Sequence, residues 1–155
     1  MTSAYAIRAA DFGDARVRGL VRLHLEGMHA SSPPGSVYAL DLTGLTAPGV
    51  TVWTAWSGES VAGMAGLKDL GAGHGEVKSM RTHPDFLRRG VAAALLEHLI
   101  SQARARGMRR LSLETGSGAP FAAALALYER RGFRYGEPFG DYVPTEFNQF
   151  LHLDL

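Results

Sequence analysis

The sequence predicts a single α+β domain, residues 1–155, with a mixed sheet. Three observations support this fold class. A chain of 155 residues fits one domain. Short runs of β-branched and aromatic residues between glycine-rich turns predict strands. Longer stretches with apolar residues at helical spacing predict helices. We expect the elements in the order βααβββαβαββ.

The first third of the chain predicts one strand and two helices. Residues 4–8 are typical of a short strand. Asp11 or Asp14 could cap a helix that runs to about residue 30, since apolar residues recur on one side of it. The run Ser-Ser-Pro-Pro-Gly at residues 31–35 ends that helix. A short helix over residues 36–42 follows in this prediction.

The middle of the chain predicts three strands. Residues 51–56 and 61–67 form a hairpin around the turn at residues 57–60, because both runs are rich in aromatic or aliphatic residues. A glycine-rich turn at residues 71–75 leads into a strand over residues 76–82.

The last third alternates helices and strands. A long helix over residues 89–106 has an apolar stripe and ends at Gly107. A strand follows at residues 109–114. A second helix, at residues 120–131, has a proline in its first turn. Strands at residues 133–139 and 147–153 close the chain.

Composition excludes several kinds of chemistry. The chain has no cysteine, so disulfides, thiol catalysis, Cys-type zinc sites and iron–sulfur clusters are excluded. No apolar run is long enough to span a membrane, and no basic-then-apolar leader opens the sequence. We therefore expect a cytoplasmic protein without a membrane partner.

Charge is balanced overall and uneven locally. The net charge is +1, yet residues 78–110 contain eight Lys and Arg against two acidic residues. This excess favours an anionic ligand held by one region. It predicts nucleic-acid binding less well, because aromatic residues do not interleave with the basic ones. We expect no nucleic-acid partner.

The turn at residues 87–92, Leu-Arg-Arg-Gly-Val-Ala, lies between a strand and a helix. The first turn of a helix has unpaired backbone N–H groups and the positive end of the helix dipole. The small residues Gly90 and Ala92 let an anion approach, and Arg88 and Arg89 add charge. The turn therefore predicts a phosphate cradle. The alternative is that both arginines are merely solvated and that Gly90 eases the turn.

These residues resemble the GNAT superfamily of acyl-CoA-dependent N-acyltransferases. The family pattern for this turn, Gln/Arg-x-x-Gly-x-Gly/Ala, is matched except that Leu87 replaces the first residue. A second family signature, Leu-Tyr-Glu-x-x-Gly-Phe, is matched in full at residues 127–133. Phe121 lies near the usual place of an Asn. Residues 74–81 also resemble a subgroup of small bacterial acetyltransferases.

The resemblance implies a GNAT-type sheet, mostly antiparallel with helices on both faces. Its two central parallel strands, residues 76–82 and 109–114, should splay apart. Acetyl-CoA would enter this gap as the co-substrate. Its pantetheine would pair with backbone near Met80, and the Met80 N–H would polarise the thioester carbonyl. The predicted cofactor-binding residues are Met80, Arg81, Thr82, Arg88, Arg89, Gly90, Val91, Ala92 and Phe121.

The implied reaction is N-acetylation by direct attack of an amine on the thioester in a ternary complex. The amine must lose a proton. Glu76 is the first candidate base because a carboxylate fourteen residues before the loop glycine often serves in this family. The alternative is a surface carboxylate paired with Lys78, and Glu114 is the second candidate base. Tyr128 would protonate the departing thiolate, although a tyrosine at this position could also be a core aromatic.

The acceptor would be a small-molecule amine or an amino-acid-like amine. In this family the first two helices and their loop usually wall its pocket, and loop packing explains each candidate equally well. His24 and His29 lack a third ligand, so we expect no metal site. The predicted substrate-binding residues are His24, Met28, His29, Ser32 and Glu114, with Ser31, Tyr38, Asp141, Tyr142 and Glu146 as further candidates.

Two rival functions remain open at this point. The departures at Leu87 and Phe121 favour a non-catalytic acyl-CoA-binding sensor or regulator. The basic excess over residues 78–110 would suit a weak nucleic-acid binder. The resemblance also implies a possible homodimer.

Overall fold

A computed structural model of the chain describes residues 4–155. Within them the element order confirms the predicted α+β class. Two single-turn 3₁₀ helices, at Pro84–Phe86 and Ala119–Phe121, precede the third and fourth α-helices. The elements are β1 (Ala6–Ala9), α1 (Ala15–Ser31), α2 (Leu42–Leu45), β2 (Val50–Ser57), β3 (Ser60–Gly71), β4 (His74–Thr82), α3 (Val91–Ala105), β5 (Arg110–Thr115), α4 (Ala122–Arg131), β6 (Arg134–Tyr135) and β7 (Gln149–Asp154).

The seven strands form one sheet in the order β1-β2-β3-β4-β5-β7-β6. Every neighbouring pair is antiparallel except β4 and β5. These two parallel strands pair only from His74 to Glu76 on β4, against Arg110 to Ser112 on β5. Beyond that point β4 continues to Thr82 and β5 to Thr115 without pairing with each other. Each keeps its other neighbour, β3 for β4 and β7 for β5. The predicted splay of the two central strands is therefore confirmed.

Helices cover both faces of the sheet, as predicted. The apolar stripe of α3 packs with Tyr128 of α4 onto one face, in a cluster that includes Leu67, Val77 and Leu111. The apolar side of α1 packs onto the other face, in a second cluster with Leu45 of α2. Because side chains alternate along a strand, the odd-numbered Val77 faces α3, and Glu76 and Lys78 face the α1 side.

A close approach fixes the start of α3 against the sheet. A Cβ added at Gly63 on β3 would lie 2.7 Å from Val91 Cγ1 and 2.9 Å from the Arg81 carbonyl oxygen. Only a residue without a side chain fits there. The first turn of α3 is thereby held beside the C-terminal end of β4.

Two element predictions were wrong. The short helix lies at Leu42–Leu45, and residues 36–41 are not helical, because Asp41 caps the helix by accepting from the Gly44 N–H at 3.0 Å. The strand expected over residues 133–139 is only Arg134–Tyr135. The Gly136 N–H still donates to the Phe150 carbonyl oxygen at 3.0 Å, and the pairing goes no further because Pro138 lacks an N–H for a ladder.

The first strand runs from Ala6 to Ala9, slightly later than the predicted 4–8, in register with β2. Over residues 4–155, no helix combines the length and apolarity needed to cross a membrane.

Candidate active site

A cleft opens where β4 and β5 diverge. It holds a cavity of about 750 Å³, walled by the ends of both strands, the first turn of α3, α4 and the inner side of α1. Most of the predicted site residues meet here. Those that line it are His24, Met28, Ser31, Tyr38, Met80, Arg81, Thr82, Arg88, Gly90, Val91, Ala92, Glu114, Phe121 and Tyr128.

The first turn of α3 forms one end of the cleft. Arg88 and Gly90 both have positive φ values, 62° and 79°, so the chain alternates hand just before the helix. Such alternation points successive N–H groups toward one spot and makes an anion-binding concavity. No side chain caps the helix at Gly90, and a Cβ there would meet open space. The backbone therefore fits the predicted phosphate cradle.

Leu87 and Arg89 take different places around this cradle. Leu87 lines the cavity and is 58% exposed, so it leaves the backbone accessible. Arg89 is not among the described cavity-lining residues. Its carbonyl oxygen accepts a hydrogen bond from the Tyr5 hydroxyl at 2.9 Å, and its guanidinium lies 5.9 Å from the Phe86 ring centroid. Arg89 thus ties the loop to the N-terminal segment.

A β-bulge interrupts β4 at the middle of the cleft. The register with β3 shifts between the pairs Met64–Arg81 and Gly66–Lys78. Ser79 lies in this shift with a φ of 56°. A bulge leaves an extra residue outside the ladder, so backbone at Ser79 and Met80 is available to an extended ligand. The buried Ser79 hydroxyl also has no hydrogen-bond partner within the described chain.

Tyr128 lines the opposite side of the cleft, from α4. Its side chain is buried, and its ring lies 5.7 Å from that of Phe133. Burial raises the pKa of the phenol to about 12. The hydroxyl therefore stays protonated at neutral pH and can donate a proton or a hydrogen bond.

Phe121 is also buried, and its ring packs edge-on against Phe147 at 5.6 Å. A Cβ at Gly116 would overlap both rings. Phe121 thus closes the β5 side of the cleft with an apolar surface, where the resemblance led us to expect a polar Asn.

Glu76 is buried below the cleft and is not among the described lining residues. The Tyr142 hydroxyl donates a hydrogen bond to its carboxylate. The Lys78 ammonium lies 3.6 Å from the same carboxylate and also donates to the Tyr142 hydroxyl at 2.8 Å and the Tyr38 carbonyl at 3.1 Å. The alternative of an ion pair with Lys78 is therefore observed, in a buried rather than a surface setting.

Glu114, the second candidate base, lines the cavity from β5. Burial is the main cause that raises its pKa to about 7, and the nearby Glu76 carboxylate adds to the rise. Lys78 and a hydrogen bond with Asn148 oppose it. A carboxyl group that titrates near neutral pH can both take up and release a proton in a reaction at that pH.

The α1 side of the cleft has a neutral histidine against a cation. His24 is buried, and its Nδ1 accepts a hydrogen bond from the Arg81 Nε at 2.9 Å. Burial, and then the charges of Arg81 and Lys78, lower the pKa of His24 to about 3. His24 is therefore neutral at physiological pH.

Two predicted substrate residues lie away from the cavity. His29 lines a separate groove between α1 and residues 41–43. It lies five residues after His24, which places it about 140° around the helix from the face that carries His24 and Met28. Ser32 caps the end of α1, and its buried hydroxyl has no partner within residues 4–155.

Sequence reasoning did not single out Ser79 or Asn148, and it treated Lys78 only as a partner of Glu76. The two-residue spacing of Glu76 and Lys78 places both on one strand face, and this spacing was the sequence signal that they lie together. Within the described chain, no group of three or more His, Asp or Glu side chains could hold a metal ion.

Curated relatives align along most of this chain. The uncharacterised N-acetyltransferase YsnE of Bacillus subtilis is 50% identical over 88% of the chain and 90% of its own length. The uncharacterised N-acetyltransferase YedL of Escherichia coli is 46% identical over 97% of the chain and 95% of its own length. The [ribosomal protein bS18]-alanine N-acetyltransferase of Salmonella typhimurium is 48% identical over only 40% of each chain.

Solved structures share the whole fold. A Klebsiella pneumoniae chain assigned to the acyl-CoA N-acyltransferases superposes with a TM-score of 0.81 at 27% identity, covering 99% of both chains. A Bacillus subtilis acetyltransferase solved in complex with CoA superposes with a TM-score of 0.73 at 19% identity, over 97% of this chain and 99% of that one. The second likeness is one of fold alone.

The family match covers both signatures and the cleft between them. Residues 17–133 match the Acetyltransferase (GNAT) family. This span runs from the first turn of α1 to Phe133, two residues after α4, and includes the turn before α3 and Tyr128. The chain is therefore an acyltransferase that belongs to the GNAT family of N-acetyltransferases.

Proposed function

We propose that the protein transfers an acetyl group from acetyl-CoA to the amine of a small molecule or amino-acid-like acceptor, by direct attack in a ternary complex. One observation carries the proposal. An uncapped helix N-terminus, a neutral phenol and a carboxyl group that titrates near pH 7 line the same cavity. Each supplies a group that the reaction needs.

The cradle and the bulge support acetyl-CoA as the co-substrate. The N–H groups of Val91, Ala92 and Ala93 would bind the diphosphate, since they lie in the first turn of α3 and need partners. The bulge at Ser79 and Met80 would hold the pantetheine as an added strand. The unpartnered Ser79 hydroxyl fits a polar ligand in this position.

The structural arrangement favours Glu114 over Glu76 as the base. Glu114 faces the cavity and has a pKa near that of a useful general base, whereas Glu76 is committed to Tyr142 and Lys78. Glu114 takes a proton from the acceptor ammonium, and the freed amine attacks the thioester carbonyl carbon. A C–N bond forms as the C–S bond breaks.

Tyr128 would donate its phenolic proton to the departing thiolate. Its pKa of about 12 lies above that of a thiol, so the donation needs a hydrogen bond to the developing thiolate. The resulting phenolate regains a proton as the attacking nitrogen, now bonded to the acetyl carbon, releases its second proton. The products are an N-acetylated acceptor and CoA.

A protein N-terminus is a second candidate acceptor. The relative named for the alanine of bS18 matches this chain over 62 residues at 48% identity. Tyr38 lines the acceptor side of the cleft, and its ring packs edge-on against that of Tyr142, with centroids 5.0 Å apart. A wall built from packed aromatic rings would leave less room for a protein segment, which favours a small acceptor. A cytoplasmic location and a homodimer stay predictions.

Thiol release from acetyl-CoA across a panel of primary amines tests the proposal, with calorimetry of CoA binding as a second readout. We expect amine-dependent thiol release and an acetylated product by mass spectrometry. CoA binding without turnover on any amine would favour the sensor alternative. Neither binding nor turnover would contradict the proposal as a whole.

A further inference from the structure

Arg81 is a partly buried cation of the cleft, whereas the cavity-lining Arg88 and Arg130 are exposed. Its guanidinium is half-buried and lines the cavity. Within residues 4–155, no Asp or Glu oxygen lies within 4.0 Å of it, whereas Lys78 has Glu76 at 3.6 Å. Burial alone accounts for the lowered pKa of the guanidinium. A partly buried cation loses part of its hydration, and no ion pair with the described chain replaces it, so the anion of a ligand would be favourable here.

The neighbours of Arg81 hold it in one orientation without neutralising it. The Nε donates to the neutral His24 ring at 2.9 Å, and Nη2 lies 3.5 Å from the His24 carbonyl oxygen. Gly27 of α1 makes room, because a Cβ there would lie 3.0 Å from Nη2 and 3.3 Å from Nη1. Two contacts to His24 satisfy part of the guanidinium and leave donors of the planar fork for a ligand.

The position of Arg81 points to the acceptor rather than to the diphosphate. The diphosphate cradle is the first turn of α3, which packs on the other face of the sheet. The guanidinium instead contacts His24 and Gly27 of α1, on the face that also carries Glu114 and Lys78. An anion bound by Arg81 would therefore lie in the same cavity as Glu114 and on the same side of the sheet.

We propose that the acceptor is an amine that also carries a carboxylate, and that Arg81 binds this carboxylate while Glu114 faces the amine. The inference rests on the proposed function and narrows its substrate class to zwitterionic, amino-acid-type molecules. An arginine fork matches the two oxygens of a carboxylate and is well suited to this recognition. Polyamines and arylalkylamines lack the anionic group, and their protonated amines would meet a like charge at Arg81.

Matched pairs of free amino acids and their carboxamides test this inference directly. Each pair presents the same side chain and the same primary amine, and only the carboxylate is removed. The amide amine is the less basic of the two, so basicity favours the amide. We expect kcat/KM to be about 10- to 100-fold higher for the acid, the range for one charge-assisted contact.

The Arg81→Gln variant tests whether Arg81 causes the preference for acids over carboxamides. We expect kcat/KM for the acids to fall about 10- to 100-fold, with KM for acetyl-CoA and kcat/KM for the amides changed less than about threefold. Arg81→Lys should retain part of the preference, since it keeps a charge but loses the fork. Arg22→Gln, an equal change of charge on the exposed side of α1, is the control.

The outcomes separate this inference from the proposed function. Equal rates on acids and amides in the unmodified protein would overturn the inference and leave the acetyltransferase activity standing. A raised KM for acetyl-CoA in Arg81→Gln, with an unchanged acid preference, would assign Arg81 to the co-substrate and overturn it as well. The comparison of acids with amides does not depend on whether any variant folds.

Discussion

The two sides of the cleft are built from different parts of the protein. The proposed co-substrate side uses backbone groups of one continuous stretch, from the bulge at Ser79 to the first turn of α3. The proposed acceptor side uses side chains from distant segments, with His24 on α1 and Glu114 on β5. Backbone recognition tolerates a changed side chain such as Leu87. Side-chain recognition does not.

This difference separates the mutations that should matter for each side. Changes to acceptor-side or reacting side chains should reduce turnover and leave CoA affinity intact. Changes to backbone conformation at the cradle should weaken CoA binding and leave the chemical step intact.

Replacing the proposed base should cost the most activity. Glu114→Gln removes the proton acceptor at nearly constant shape, so we expect kcat to fall about 10³-fold near pH 7.5, within the range for general base catalysis. Calorimetry should show CoA affinity unchanged. Glu59→Gln, in the exposed β2–β3 turn, is the control. A fall in kcat of less than about threefold would show that Glu114 is not the base and would favour Glu76.

Removing the phenolic hydroxyl should have the next largest effect. We expect Tyr128→Phe to lower kcat about 10²-fold while CoA affinity stays nearly intact, because the ring still fills its place beside Phe133. Steady-state kinetics with acetyl-CoA and one active amine measure this. An unchanged rate would show that Tyr128 is only a core aromatic.

The cradle is tested by a change of backbone preference. Gly90→Ala strains a residue with a φ of 79° and places a methyl group where the diphosphate would approach, so KM for acetyl-CoA should rise about tenfold at nearly constant kcat. Gly58→Ala is a matched control, since Gly58 also has positive φ with open space around its Cβ, but lies in the distant β2–β3 turn. Equal effects of both variants on KM would contradict the cradle.

Stability should show the cost of keeping Glu114 ready to react. The folded-state pKa of Glu114 is about 7, above its ordinary value of 4.5. The stability that the protein has with this carboxyl neutral is therefore fully present below about pH 4.5 and is lost as the pH rises through 7. We expect Glu114→Gln to melt about 2–4 °C above the unmodified protein near pH 8.5 and to match it near pH 4.5. Thermal melts across pH measure this, and a difference that does not change with pH would contradict the pKa.

The smallest effect should come from restoring the family side chain at residue 87. Leu87 is exposed at the cavity edge, and the backbone cradle is already complete without it. We therefore expect Leu87→Gln to tighten CoA binding only about two- to threefold in calorimetry. A gain above about tenfold would show that side chains, rather than backbone, dominate the cradle.

The sequence predicted the co-substrate side better than the acceptor side for a physical reason. The turn at Gly90 and the signature around Tyr128 are local patterns. Their residues are neighbours in the chain, so each motif can be recognised from sequence alone. The splay of the strands followed from the same resemblance. The cradle's two positive φ values were signalled at Gly90 by the residue type but not at Arg88.

The acceptor side depends on contacts that no local pattern encodes. His24 and His29 were both predicted to bind the acceptor, but only His24 lines the cavity, and His29 lines a separate groove. Arg81 was expected to act only through its backbone, and the bulge at Ser79, which alters side-chain alternation in β4, placed its guanidinium beside α1. The burial of Glu76 under Tyr142 depends on a loop 66 residues away in the chain.

A crystal structure with CoA and an N-acetylated amino acid tests the central claim most directly. We predict the diphosphate on the N–H groups of residues 91–93, the sulfur between Met80 and Tyr128, and the carboxylate of the amino acid on Arg81. CoA bound outside the gap between β4 and β5, or a ligand carboxylate distant from Arg81, would contradict this account of the cleft.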